Sequence, residues 1–165
     1  MSRTGFTLTP PRLADSLPGG LVNGAINGAI SWSAFKSMTQ VPLSVDSIAS
    51  PGVTALGNAA TVAFALAFII TSITFFVFRA AARKSEASPR SLAELRYWPS
   101  GLGIAVRNTL LVFGGFVAGA VLWQRFVGTL LVGPVTATLV VVAVAVAATA
   151  VAEWRTKHEM LGAPG

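Results

Sequence analysis

The sequence predicts an all-α integral membrane protein with four transmembrane helices, arranged as two parallel-repeat helical hairpins with a short interfacial cytoplasmic helix. Three observations carry that prediction. Of the 165 residues, 53% are hydrophobic and only 11% charged, and the mean hydropathy is +0.70; a soluble domain carries about a quarter charged residues. Glycine recurs every fourth residue at Gly20, Gly24 and Gly28, and Trp32 continues the row. Finally, Gly115-x-x-x-Gly119-x-x-x-Trp123-x-x-Phe126 repeats Gly24-x-x-x-Gly28-x-x-x-Trp32-x-x-Phe35, each residue 91 positions later.

The glycine row defines the first span. Residues four apart share one face of a helix, so the row is a smooth stripe that another backbone can approach. In water each glycine would weaken the helix by roughly 1 kcal/mol relative to alanine, whereas in a bilayer the stripe is a packing surface. Residues 1–16 read as a polar surface tail, in which Thr9-Pro10-Pro11 blocks an early helix. The tail lacks the apolar stretch of a cleaved signal peptide, and the first apolar run ends in Lys36-Ser37-Met38 with no small-residue cleavage site, so it is expected to be retained. The first span covers residues 17–35, which at ~1.5 Å per residue is just long enough to cross.

The following loop, 36–50, carries Pro42 and Asp46. Ser50-Pro51 matches a helix start, with serine as N-cap and proline in the first turn, and predicts a second span over 51–78 without a charge. Residues 79–102 form the one substantial polar connection, a basic loop carrying Arg79, Arg83, Lys84, Arg90 and Arg96. Within it Ser91-Leu92-Ala93-Glu94 fits a capping box, Tyr97-Trp98 suits headgroup depth, and an interfacial helix is expected over 89–98. The third span is expected over 103–123, with Arg107 and Asn108 in its first turns. A brief apolar crossing follows, and Pro134 opens a fourth span over 134–152 of valine, alanine and threonine. Valine is a modest helix former in water, but in lipid each backbone bond must close within the segment, so helix is the expectation. Residues 153–165 read as a charged tail.

Four spans place both termini and the 79–102 loop on one side. That side holds Arg3, Arg12, Arg79, Arg83, Lys84, Arg90, Arg96, Arg107, Arg155 and Lys157, against Lys36 and Arg125 on the other. The excess predicts a multi-pass protein of a bacterial-type inner membrane with cytoplasmic termini. It also accounts for the net charge of +6 without nucleic acid, since no basic stripe lies on a polar face. The second outer loop is followed by Pro134-Val135-Thr136-Ala137, which resembles Pro51-Gly52-Val53-Thr54-Ala55 after the first, so both halves read as helix, outer loop and proline-started helix. Both begin on the same side, and a duplication would relate them by an axis along the membrane normal.

No Asp, Glu, Lys or His lies in the middle of a predicted span, although carriers that move charge need such a group. Small multidrug carriers, also of four spans, depend on a membrane-embedded carboxylate, and this chain departs from them at that point. With no cysteine and a single histidine, His158, neither a metal site nor haem ligation is expected, and no cofactor. No nucleophile–base pair or phosphate loop is present, which points away from an enzyme. The polar groups left inside are amides and hydroxyls. Asn23 and Asn27 stand one turn apart on the first span, where the second half has Gly114 and Ala118, and Asn58 lies near the outer end of the second span. They read as interhelical hydrogen-bonding groups, with a lining for a small polar or anionic solute as the alternative.

The expected function is a non-enzymatic packing or accessory subunit. Its helix-packing residues would be Gly20, Gly24, Gly28, Trp32, Phe35, Gly115, Gly119, Trp123 and Phe126. Its partners would be the lipid bilayer and either further copies or another membrane protein. The runner-up is a small oligomeric channel or permease-like carrier built around Asn23 and Asn27. The basic residues Arg79, Arg83, Lys84, Arg90, Arg96 and Arg107 form the expected cytoplasmic surface.

Overall fold

A computed structural model describes residues 11–46, 53–84 and 96–162. The chain is all-α. A short 3-10 turn at Leu13–Ser16 leads into α1 (Leu17–Phe35); α2 is Ala55–Lys84, a wide helical turn at Tyr97–Gly101 leads into α3 (Leu102–Val127), and α4 is Pro134–Gly162. Two three-residue strands, β1 (Val41–Leu43) and β2 (Leu130–Val132), pair antiparallel with Val41 opposite Val132 and Leu43 opposite Leu130. The two connections expected to be separate outer loops therefore close into one ribbon. Gln124 locks α3 to the same end: its Oε1 accepts from the Val45 N–H at 2.9 Å and its Nε2 donates to Asp46 Oδ1 at 3.0 Å.

Three helices are long and apolar enough to cross a membrane: α2, α3 together with its leading turn, and α4. α1 is not among them, because Asn23, Asn27 and its glycines lower its hydropathy. At ~1.5 Å per residue its 19 residues still cover about 28 Å.

Helix ends follow local chemistry. The Ser50-Pro51 start and the 89–95 part of the expected interfacial helix lie outside the described residues. Within them α2 begins at Ala55, and Thr54 Oγ1 caps it by accepting the Gly57 N–H at 3.2 Å. Pro134 opens α4 as its sequence predicts, and the first helical bond runs from the Ala137 N–H to Gly133 O at 3.0 Å. α3 stops at Gly128, whose φ of 86° no L side chain adopts comfortably. α4 does not stop at Ala152: residues 153–162, expected as a tail, continue it for more than two turns.

α2 and α4 run side by side in the same direction through the centre. Their contact is an i,i+4 row of small residues: Ala55, Ala59, Ala63 and Ala67 on α2, and Ala137, Val141 and Ala145 on α4, all fully buried. At the ribbon end this row merges with Phe35 and Val41 in one core cluster. At the opposite end Phe75 and Ala82 pack on Met160, with Tyr97 closing over them. Tyr97 stacks on Phe76 at 4.8 Å and shares a 2.8 Å hydrogen bond with Ser72, so it is tied to α2, while its neighbour Trp98 is exposed. α1 lies antiparallel along α4, and α3 antiparallel along α2 with a lighter contact to α4. Before α1, the carbonyl of Pro11 accepts the Trp154 indole N–H at 3.0 Å, which seats this part of the expected tail on α4.

Candidate functional site

The two glycine rows are used differently. On α1, a Cβ added at Gly20 would lie 2.9 Å from the Val146 carbonyl oxygen; at Gly24 it would meet Val146 Cγ2 at 2.6 Å, and at Gly28 Val142 Cγ2 at 2.6 Å. The row is the seat of a β-branched ridge on α4, and Phe35 at its end is fully buried in the core. Trp32 is partly exposed. On α3, a Cβ at Gly115 or Gly119 would have nothing within 4 Å. These two glycines instead line an open apolar groove of about 360 Å³, with Trp123 at one end and Leu56, Phe116 and Val140 on its walls. Phe126 is largely exposed.

α3 is held chiefly by α2, through contacts such as the edge-to-face pair Phe64–Phe113 at 5.5 Å. Only 6% of the most apolar stretch of α3 is buried, against 33% for α2 and 39% for α4. Apart from Arg107 and Arg125 near its ends, its large exposed side chains are leucine, valine, tryptophan and phenylalanine, a composition that water disfavours and lipid or another apolar helix accepts.

The three asparagines do not converge. Asn27 donates from Nδ2 to the Asn23 carbonyl at 2.9 Å, a local bond within α1. Asn58 donates to Ser31 Oγ at 3.0 Å and joins α2 to α1. Asn23 faces a cavity of about 270 Å³ between α1, α2 and α4 whose polar wall is Gly19, Asn23, Thr74, Thr149, Glu153 and Lys157. Thr149, Glu153 and Lys157 stand at i, i+4 and i+8 and so share one face of α4. Lys157 Nζ reaches back to Glu153 Oε1 at 2.5 Å, which places both charges at one level.

Asn108, fully buried at the start of α3, organises a second polar group that the residue pattern alone does not single out. Its Nδ2 donates to Thr156 Oγ1 at 3.3 Å, and its Oδ1 accepts from Arg155 Nε at 3.1 Å. Arg155 also donates to Glu159 Oε1 at 3.1 Å, and Glu159 Oε2 meets Arg107 at 2.6 Å. A sequence signal for the helix that carries this group does exist: Glu153–Lys157 and Arg155–Glu159 are both i,i+4 opposite-charge pairs, which mark a continuing helix better than a tail. Arg107 is therefore one side of an ion pair between α3 and α4, in addition to lying at the basic end. Of the other basic residues, Arg79, Arg83 and Lys84 close α2 and Arg96 precedes the turn into α3, while Arg90 lies outside the described residues.

Among the described residues no three His, Asp or Glu side chains are grouped as a metal ion would require. No family model matches the chain, and neither a curated protein nor a solved structure is detectably similar to it. Three features remain as candidates for function: the open groove of α3, the polar cavity beside α1 and the network at Asn108.

Proposed function

We propose that the chain is a non-enzymatic packing subunit of a bacterial-type inner membrane, with four spans and cytoplasmic termini, which assembles with further copies of itself. The observation that carries this reading is the open groove at Gly115 and Gly119. Within one chain the corresponding glycines of α1 receive the valine ridge Val142–Val146. A ridge of the same spacing and side-chain type, Val22–Ile26–Ile30, stands exposed on the outer face of α1. Gly28 lies at the level of Val142 and the α3 groove at the level of Val140, so ridge and groove have the same depth. In lipid, close approach over glycine gains van der Waals contact that larger residues forbid. One copy's α1 on the next copy's α3 is a head-to-tail contact that closes into a ring or continues as an array.

The fourth span is supported by the path of α1. It runs along α4 from the level of Trp154 to the ribbon, so a membrane crossed by α4 contains α1 as well. The duplication is supported by the layout: α1 lies on α4 as α3 lies on α2, and β1 pairs with β2 across the same centre.

Two outcomes are expected. In mild detergent the parent runs larger than a monomer by light scattering. Gly115→Ile with Gly119→Ile fills the groove and shifts assembly toward monomer roughly tenfold, with helix content and accumulation unchanged. A monomeric parent, or a double variant that assembles like the parent, overturns the proposal. A parent that purifies with a different membrane protein in fixed ratio replaces the second copy by that partner. For topology, the cysteine-free chain allows single thiols to be placed at will. An Asp46→Cys variant is expected to react with an impermeant reagent from outside, and Ser88→Cys and His158→Cys variants only after lysis. Outside labelling at position 88 contradicts the four-span topology.

A further inference from the structure

We propose that the cavity between α1, α2 and α4 holds one phospholipid with an ethanolamine headgroup. The hydroxyl of Thr149 is the first indication. Thr61, Thr109, Thr138 and Thr156 each donate to their own helix's i−4 carbonyl, at 3.2, 2.7, 2.8 and 2.6 Å. Among the described threonines Thr71 and Thr149 are buried with a hydroxyl that has no partner, and of these two it is Thr149, 1% exposed, that forms part of the cavity wall. A buried hydroxyl without a partner costs about 1–3 kcal/mol, and a bound ester or phosphate oxygen would accept its proton.

The charges define the rest. The Glu153–Lys157 pair engages one carboxylate oxygen and one of three ammonium donors, and Glu153 Oε2 points over Gly19, 3.3 Å from where a Cβ would be. One anion acceptor and two cation donors therefore remain side by side at the cavity. A simple anion would be repelled by Glu153 and a simple cation by Lys157. A molecule with a phosphate and an ammonium on adjacent groups meets both with charge-assisted hydrogen bonds. The carboxylate requires N–H donors, which a primary ammonium has and a quaternary one lacks. A lipid fits better than a free solute because the α2 side of the opening is Ile73 and Val77, both exposed and apolar, which continue the cavity sideways toward the bilayer. The acyl chain would lie on these residues and the headgroup on Glu153 and Lys157.

The inference rests on the membrane reading but not on self-assembly. To test it, the full chain is reconstituted in vesicles of equal parts phosphatidylethanolamine and phosphatidylglycerol, re-extracted in mild detergent and analysed for bound lipid by native mass spectrometry. The expected result is one tightly held phosphatidylethanolamine, enriched about tenfold over phosphatidylglycerol. Replacing it by its dimethyl and trimethyl derivatives should reduce retention stepwise in the unmodified protein, a series that does not depend on any variant folding. Glu153→Gln with Lys157→Gln should return the bound lipid to the bulk ratio at unchanged helix content. Bound lipid that mirrors the bulk, or trimethylated lipid held as well as the parent lipid, overturns the assignment. So does displacement by water-soluble glycerophosphoethanolamine at equal concentration, which would identify the headgroup alone as ligand. Release of the protein from membranes by alkaline carbonate would instead refute the membrane reading itself, and is scored separately.

Discussion

Replacing Gly20 and Gly24 by isoleucine is expected to detach α1 from α4 and to destabilise the fold severely. At Gly20 the obstacle is a backbone carbonyl, Val146 O at 2.9 Å, which cannot rotate away. At Gly24 it is Val146 Cγ2 at 2.6 Å, a β-branched side chain with restricted χ1 freedom. Overpacking at such sites costs about 1–3 kcal/mol each. Two on one interface should lower the thermal midpoint in detergent by many degrees, or prevent accumulation altogether. The same isoleucines at Gly115 and Gly119 should leave the midpoint of the dissociated monomer, measured at high dilution in detergent, unchanged, since nothing within the chain lies within 4 Å of either. Equal loss of stability from both pairs would mean that the rows have the same role and that the α3 groove is closed within the chain.

Asn108→Leu is expected to show the second large effect. The amide serves Arg155 and Thr156 at once from a fully buried position. An apolar replacement leaves the Arg155 Nε–H without its acceptor where water has limited access, a loss of about 1–3 kcal/mol. The thermal midpoint should fall by several degrees. Removing the stranded partner as well, with Arg155→Leu, should recover part of the loss, because replacing both members of a partly buried polar pair is milder than removing one, and Glu159 keeps Arg107 as its partner. A double variant whose loss equals the sum of the two single losses would show that Asn108 and Arg155 are not coupled.

The basic end of the molecule shows how a charged segment can be read in two ways. By composition Arg155 and Glu159 belong to a solvated tail, yet they continue α4 and join it to α3. A charged segment after an apolar span can be either a tail or the emerging end of a longer helix. The i,i+4 pairing of opposite charges distinguishes the two.

Much of the architecture was legible in the residues themselves. Low charge and long apolar runs determined an all-α chain with membrane-length helices, because backbone groups in lipid must bond within their own segment. Pro134 determined the start of α4, and the spacing of Gly20, Gly24 and Gly28 marked a true close contact. What the sequence could not decide is partnership. Gly24 and Gly115 stand in the same local pattern, yet one is pressed against valine and the other faces open space, because contact depends on which helix the topology brings alongside. The alanine row of α2 is inconspicuous for a related reason: in an apolar span alanine is ordinary composition, and only the parallel approach of α4 makes Ala59, Ala63 and Ala67 an interface. Asn23, Asn27 and Asn58 resemble one polar site in the sequence, but the helix rotation and neighbouring elements send them to a cavity, a local carbonyl and Ser31. Tertiary structure alone brought Thr149, Glu153 and Lys157 of α4 beside Asn23 of α1, since a helix specifies its own faces and the fold decides what each face meets.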